Sequence, residues 1–364
     1  MTDLLTERAH ELAAAGRLPA FIYDLTGLRD HVAAVRQALG EVELYYAVKA
    51  NPDPRLLSVL APYVDGFEVA SGGELAHVRR HFPQKSIALG GPGKTDAELA
   101  ATVHRLHVES PGELERLLAS GREADILLRV NLDLPITGAS LAMGGGATPF
   151  GMDPDGVTTC AGLLERQDRV RLRGIHAHLA SGLRAEQMLD LAAAVLDYAR
   201  SLGVTEINLG GGMAVSYTDP GELFDWVAYG LGLAKLRRDG ERLRIEPGRS
   251  LTVYCGRYAT QVIDVKRVHG SLFAVVAGGT HHIRTPATKG HDQPVIPGRP
   301  GEATTIVGQL CTPKDQLSSH VPIALERGDV VELAMAGAYA WNISHHDFLM
   351  HPHPEFAYVG SDHL

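Results

Sequence analysis

The spacing of apolar residues along this chain changes rhythm once, near residue 251, and the change divides the sequence in two. Before it, short β-like runs alternate with longer stretches in which apolar residues recur every three or four positions. The runs at 21–24, 43–48, 66–69, 86–89, 105–108, 125–130, 173–177, 206–209 and 244–246 predict buried strands. Residues 28–39, ending at Gly40, and residues 52–61 and 187–202 carry helical spacing, and Ser71 with Glu74 stands at capping-box spacing ahead of another helix. Strand–helix units repeated over this length predict a parallel sheet covered by helices, closed as a TIM-like (β/α)8 barrel rather than left open. Beyond 251, the runs at 258–266, 272–277, 304–308 and 330–333 are short, β-branched and separated by Gly, Pro and Asp turns. They predict an all-β second domain, a β-barrel or β-sandwich. The Pro-, Gly- and His-rich residues 285–300 read as a loop. The expected class is therefore α/β plus all-β, with the barrel at 20–251 and the β domain at 1–19 and 252–364.

A length of 364 residues accommodates two such domains. The formal net charge of −9, with no basic segment interleaved with aromatics, argues against a nucleic-acid partner. The first residues carry acidic groups and no apolar core, and no apolar run reaches membrane-spanning length, so neither a secretory signal nor a membrane partner is expected. Cys160, Cys255 and Cys311 have neither a disulfide-framework nor a metal-ligand spacing, which fits a reducing, cytoplasmic location.

In a barrel of this kind the C-terminal ends of the strands share one site. Lys49 stands at such an end, after the apolar run Tyr45-Tyr46-Ala47-Val48 and before Asn51-Pro52. A partly buried lysine can act as an amine nucleophile toward a carbonyl, although one lysine at a strand end is also an ordinary structural feature. His176 and His178, the run Gly210-Gly211-Gly212, and Glu246-Pro247-Gly248-Arg249 follow other strands. Each has a plain reading: a packed histidine pair or metal fragment, a turn, a turn. Their common position suits a phosphorylated, ring-shaped aldehyde cofactor. Backbone N–H groups of a glycine run bind phosphate, Glu246 keeps a ring nitrogen protonated, His178 offers a flat face and Lys49 takes the aldehyde.

The motifs Tyr46-Ala47-Val48-Lys49-Ala50-Asn51, Ser71-Gly72-Gly73-Glu74-Leu75, His178-Leu179-Ala180-Ser181, Gly210-Gly211-Gly212, Glu246-Pro247-Gly248-Arg249, Cys311 and Gly337-Ala338-Tyr339 occur in the order found in one family. Over roughly residues 20–345 the chain resembles the pyridoxal-phosphate-dependent decarboxylases of the alanine-racemase-like fold (fold type III). Diaminopimelate, ornithine and arginine decarboxylases belong to that group. The resemblance implies that Lys49 carries pyridoxal 5'-phosphate, His178 stacks on its ring and Glu246 pairs with its ring nitrogen. Ser181, Gly210, Gly211, Gly212, Gly248, Arg249 and Tyr339 complete the cofactor contacts. It further implies a head-to-tail homodimer with composite sites, in which Cys311 reaches across from the second subunit. Cys311 or Lys49 then returns a proton to Cα. No metal ligand set is expected.

The departures from the family concern the substrate. Diaminopimelate decarboxylases carry Cys-Glu-Ser-x-Asp and ornithine-type enzymes place Asp after the cysteine, whereas this chain reads Cys311-Thr312-Pro313-Lys314-Asp315. Loss of the acidic neighbour, together with His281 and His282, suits an anionic distal group better than an ammonium. Thr312, Asp315, His281 and His282 are thus candidate substrate contacts. Arg129 joins them, with a salt bridge at the barrel mouth as its equal alternative. The likeness points to the siderophore-biosynthesis branch, whose substrates are amino acids joined to citrate, of citryl-diaminopropionate or citryl-serine type. Diaminopimelate or another diamino acid is the alternative substrate. A racemase and a non-catalytic pyridoxal-phosphate-binding protein rank lower.

Overall fold

Eight strands pair in parallel and close on themselves in the order Glu206–Asn208, Arg242–Ile245, Glu43–Ala47, Gly66–Val69, Ser86–Leu89, Arg105–Val108, Ala124–Arg129 and Val170–His176. The computed structural model describes residues 3–135, 138–284 and 292–360. Residues 285–291 of the expected loop lie outside these. The barrel belongs to a unit formed by Val32–Ala214 and Phe224–Ser250. Its strands are short and interleave buried apolar residues such as Leu106, Ile207 and Leu243 with buried polar ones such as Arg105, His107, Glu206 and Arg244. Capping starts the helices between them: Asp53 accepts from the Arg55 N–H at 2.8 Å, Ser71 from Glu74 N–H at 3.2 Å and Ser110 from Glu113 N–H at 3.1 Å.

Near the strand starts the barrel is plugged by charge. Arg244, with no side-chain exposure, donates to Glu43 Oε2 at 2.5 Å, lies 3.0 Å from Glu206 Oε1 and covers the Tyr45 ring at 4.4 Å. Arg105 donates to both oxygens of Glu206, at 2.8 and 2.7 Å. Glu43 is in the first strand of the barrel to appear in the sequence and Arg244 in the last, and those strands pair side by side. The ion pair therefore sits on the seam.

The second unit holds the described residues of Met1–His31, Val215–Leu223 and Leu251–Leu364. It is built on a sheet in the order Gln316–Ile323, Pro300–Val307, Ser271–Val276, Gly256–Val268, Ala20–Asp24 and Glu355–Val359, with Val330–Leu333 also pairing with Gly256–Val268. This is the all-β texture that the change of rhythm predicts. The strand over residues 21–24 differs from expectation. It pairs antiparallel with Gly256–Val268 and parallel with Glu355–Val359, so it belongs to this sheet and not to the barrel. Its physical reason is burial: Ala20 and Ile22 pack with Ala9 and Leu12 of the helix Leu4–Ala14 and with Ala259 and Ala357. A fully buried run reads alike in either sheet, and its partners lie more than two hundred residues away. The strands Gln316–Ile323 and Glu355–Val359 also go unmarked by apolar patterning, since polar residues such as Ser318, Ser319 and His320 interrupt the first. Among the described residues no helix is long and apolar enough to cross a membrane.

Candidate active site

The strand Glu43–Ala47 runs into a single 3-10 turn, Val48–Ala50, and this turn presents Lys49. Ala47 N–H donates to Pro247 O at 3.2 Å, and a Cβ on Gly248 would come within 2.9 Å of the Ala50 Cβ. The Glu246-Pro247-Gly248 segment is thereby packed against the lysine turn, and only glycine fits at 248. Lys49 Nζ lies 3.3 Å from Glu68 Oε2, with the lysine side chain 45% and the glutamate 7% exposed. Burial pushes the Glu68 carboxyl up to about 6, the Lys49 charge opposing the rise and Glu246 adding to it.

Glu246 is buried at the end of strand Arg242–Ile245. Its Oε1 accepts from Asn208 Nδ2 at 2.6 Å, and its Oε2 lies 3.1 Å from His176 Nε2. His178 faces the glycine run, its Nδ1 accepting from the Gly211 N–H at 3.3 Å. That bond leaves the proton of the neutral ring on Nε2. Desolvation, followed by the charges of Lys49 and Arg129, pushes the His178 imidazole down to about 3. Gly210 and Gly212 have φ of +67° and +105°, and a Cβ on Gly212 would collide with Ala180 O. Gly212 O in turn accepts from Gly182 N–H at 2.7 Å, tying the run to the segment after Ser181. Arg249 opens the short helix Arg249–Thr252. Lys49, His178, the three glycines, Glu246 and Gly248 thus all follow strands of one barrel, and Ser181 lies beyond one of them in a two-stranded ribbon of Leu141–Ala142 with Ala180–Ser181.

Arg129 takes the salt-bridge role. It is buried, its Nη1 donates to Glu109 Oε1 at 2.7 Å, and its guanidinium covers the Phe150 ring at 5.0 Å. Glu109 also accepts from Gly91 N–H at 2.8 Å, so the pair holds two loops at the barrel mouth.

The remaining candidates belong to the β unit. Cys311 is an exposed free thiol, and Thr312 Oγ1 accepts from Lys314 N–H at 3.3 Å in a turn. Asp315 is buried and accepts from Thr280 N–H at 2.6 Å, Thr280 Oγ1 at 2.8 Å and Leu310 N–H at 2.7 Å. Its carboxylate thus knits two loops of its own unit. His282 is bonded to Tyr258 Oη at 3.1 Å and to Pro352 O at 2.8 Å, while the buried His281 ring has no hydrogen-bond partner among the described residues at either nitrogen. Both rings are enclosed by this unit's own chain. Tyr339 is half-buried at a left-handed φ of 49°, a conformation rare for a non-glycine residue.

Motif spacing passes over four residues that the geometry brings in: Glu68, His107, Glu109 and Asn208. All lie at or just past the ends of barrel strands. Weighing every polar residue at such an end, rather than only those in recognisable motifs, would find them.

A family model described as "Pyridoxal-dependent decarboxylase, pyridoxal binding domain" matches residues 25–253. The chain is 38% identical over 373 residues to the 2-[(L-alanin-3-ylcarbamoyl)methyl]-2-hydroxybutanedioate decarboxylase of Staphylococcus aureus, covering 93% of each. It is 30% identical over 354 residues to the diaminopimelate decarboxylase of Bacteroides thetaiotaomicron, covering 88% of this chain and 90% of that one. Among solved structures it resembles the diaminopimelate decarboxylase of Helicobacter pylori complexed with L-lysine, with a TM-score of 0.86 at 22% identity, over 96% of this chain and 94% of that one.

Proposed function

Because the chain belongs to the pyridoxal-dependent decarboxylases, we propose that it removes carbon dioxide from the amino-acid end of a citrate conjugate. The proposed substrate is a diaminopropionate joined through its side-chain nitrogen to citrate, or a close relative such as a citryl-serine. The observation that carries this reading is the near full-length likeness to the Staphylococcus aureus enzyme, whose name describes such a conjugate.

The barrel residues fit pyridoxal phosphate. An amine (Lys49), a carboxylate held by Asn208 and His176 (Glu246), an imidazole (His178) and a glycine cradle whose Gly212 has no room for a Cβ stand at one barrel end. When bound, the cofactor supplies an electron sink for the pair left at Cα as carbon dioxide departs. Lys49 would hold the aldehyde, and Glu68, which accepts from Lys49 Nζ at 3.3 Å, orients the amine. Glu246 would face the ring nitrogen and His178 the ring. The glycine run with Ser181 would receive the phosphate, beside Gly248 and Arg249. The part of Tyr339 at the phosphate, the return of a proton to Cα by Cys311 or Lys49, and a homodimer in which Cys311 serves the partner's site rest on family resemblance. So does the division of the chain into a cofactor barrel and a β domain that completes the partner's site.

Thr312 supports the conjugate reading chemically. A hydroxyl can donate to a carboxylate tail, where the glutamate or aspartate of diamino-acid enzymes would repel it. His281 and His282 are buried in their own unit, and Asp315 already accepts from Thr280 and Leu310. Tail recognition is therefore assigned to Thr312 and its neighbour Lys314. Carbon dioxide release would be followed with citryl-diaminopropionate, citryl-serine, meso-diaminopimelate, ornithine, lysine and arginine. Preferred turnover of a citryl conjugate is expected. Preference for diaminopimelate or a basic amino acid would overturn the substrate while leaving the reaction type in place.

A further inference from the structure

Two imidazoles lie face to face beside Glu246. The rings of His107 and His176 are 4.2 Å apart between centroids and 17° from parallel, and both are buried. Each turns Nε2 toward the same carboxylate: His176 at 3.1 Å from Oε2, His107 at 3.8 Å from Oε1. His176 Nδ1 and His107 Nε2 are buried without a hydrogen-bond partner among the described residues.

The hydrogen-bond pattern fixes where the protons are. Asn208 Oδ1 accepts from the Gly210 N–H at 2.9 Å, so its Nδ2 must be the end that donates to Glu246 Oε1. At Oε2 two arrangements remain. Either a carboxylate accepts from His176 Nε2–H, or a carboxylic acid donates to a bare Nε2. In the second case the neutral ring carries its proton on Nδ1, which has no acceptor. A bare buried lone pair is tolerated better than an orphaned buried N–H, so the first arrangement is favoured. At 3.8 Å, His107 Nε2 is beyond hydrogen-bond reach. It bears on Glu246 through the stack that holds the plane of His176.

We propose that His107 and His176 are positioning residues: a stacked, neutral pair in which His176 presents Nε2–H to Glu246 and His107 fixes the plane of that ring, so that the carboxylate is held ionised and aimed at the ring nitrogen of the cofactor. The inference rests on the family reading of Glu246. Burial is the largest obstacle to charging either ring; His176, Arg244 and Lys94 add to it at His107, and Arg129, Lys49, Lys94 and Arg244 add to it at His176. Glu246 is the acid that counters these around His107. Both rings are accordingly held well below the ordinary imidazole range.

A rival use exists for the same atoms. His107, His176 and Glu246 each place a donor atom within 4.8 Å of the others, a set that could take a divalent metal. That use needs bare ring nitrogens facing inward, the reverse of the proton placement proposed.

Histidine-15N-labelled holoenzyme, followed by long-range proton–nitrogen correlation over about pH 5.5–8.5, tests the pair directly. His107→Phe and His176→Asn assign the signals. Two neutral rings with no titration are expected, that of His176 with the Nε2–H pattern. Cofactor binding, read by absorbance titration, should be about 10-fold weaker in His176→Phe and mostly restored in His176→Asn, whose amide can donate. An Nδ1–H pattern at His176, a ring of the pair that titrates in this range, unchanged affinity in His176→Phe, or stoichiometric zinc on bare nitrogens would each overturn the proposal. Failure of the unsubstituted chain to bind pyridoxal phosphate would overturn the family-based assignment of Glu246 along with it. Binding with the wrong histidine spectra would overturn the pair alone.

Discussion

Lys49 and Glu68 face each other from neighbouring barrel strands, Nζ 3.3 Å from a buried carboxylate oxygen. Burial raises the Glu68 carboxyl from 4.5 to about 6, even against the opposing lysine. A carboxyl with a raised folded value binds its proton more tightly in the folded chain. Its contribution to stability is therefore present below about pH 4.5 and lost as pH rises through about 6. In the cofactor-free chain, Glu68→Gln should abolish that slope, worth on the order of 1–2 kcal/mol. Urea midpoints at the two ends of the window measure it, and an unchanged slope would refute the assignment.

Lys49→Arg keeps a cation beside Glu68 but removes the amine that condenses with an aldehyde. Turnover should fall by roughly 10³-fold or more, and the absorbance band of lysine-linked cofactor should vanish. Residual activity near the parent level would place the nucleophile elsewhere.

Thr312→Glu restores the charge that diamino-acid enzymes carry beside the cysteine. It should lower kcat/KM for a citryl conjugate by about 10- to 100-fold through like-charge repulsion. Turnover of diaminopimelate should be unaffected or improved. Equal losses on both substrates would mean that the residue acts on folding rather than on selection.

Arg129→Ala strands Glu109 as a buried charge that keeps only backbone donors. A loss of about 3 kcal/mol in unfolding free energy is expected, with partial recovery when Glu109→Gln is added. If stability is untouched and only KM rises, Arg129 is a substrate contact after all.

Much of the architecture is legible in the sequence because buried apolar residues recur in short β-like stretches between helical ones, even where charges such as Arg105 and Arg244 share the strands. The lysine, glycine and glutamate motifs are legible because their chemistry admits few substitutes. Where patterning fails, the cause is non-local. Residues 20–24 carry no mark of which sheet they join, since the choice depends on Gly256–Val268 and Glu355–Val359. His107 sits in an ordinary apolar strand and gains meaning only from the ring of His176 stacked on it. Asp315 and His282 look like ligand contacts in the sequence but are engaged by their own unit, because buried polar atoms find partners first.

The Arg244–Glu43 pair on the barrel seam has a consequence for biosynthesis. The two strands it joins are separated by almost the whole barrel, so a chain emerging from the ribosome holds an open sheet until residues 242–245 have appeared. During that interval the edge at Glu43–Ala47 lacks a neighbour on one side, and the apolar run leading to Lys49 is open to strays. Closure must then take the Arg244 charge out of water against Glu43, which makes the last step of barrel assembly sensitive to loss of either partner.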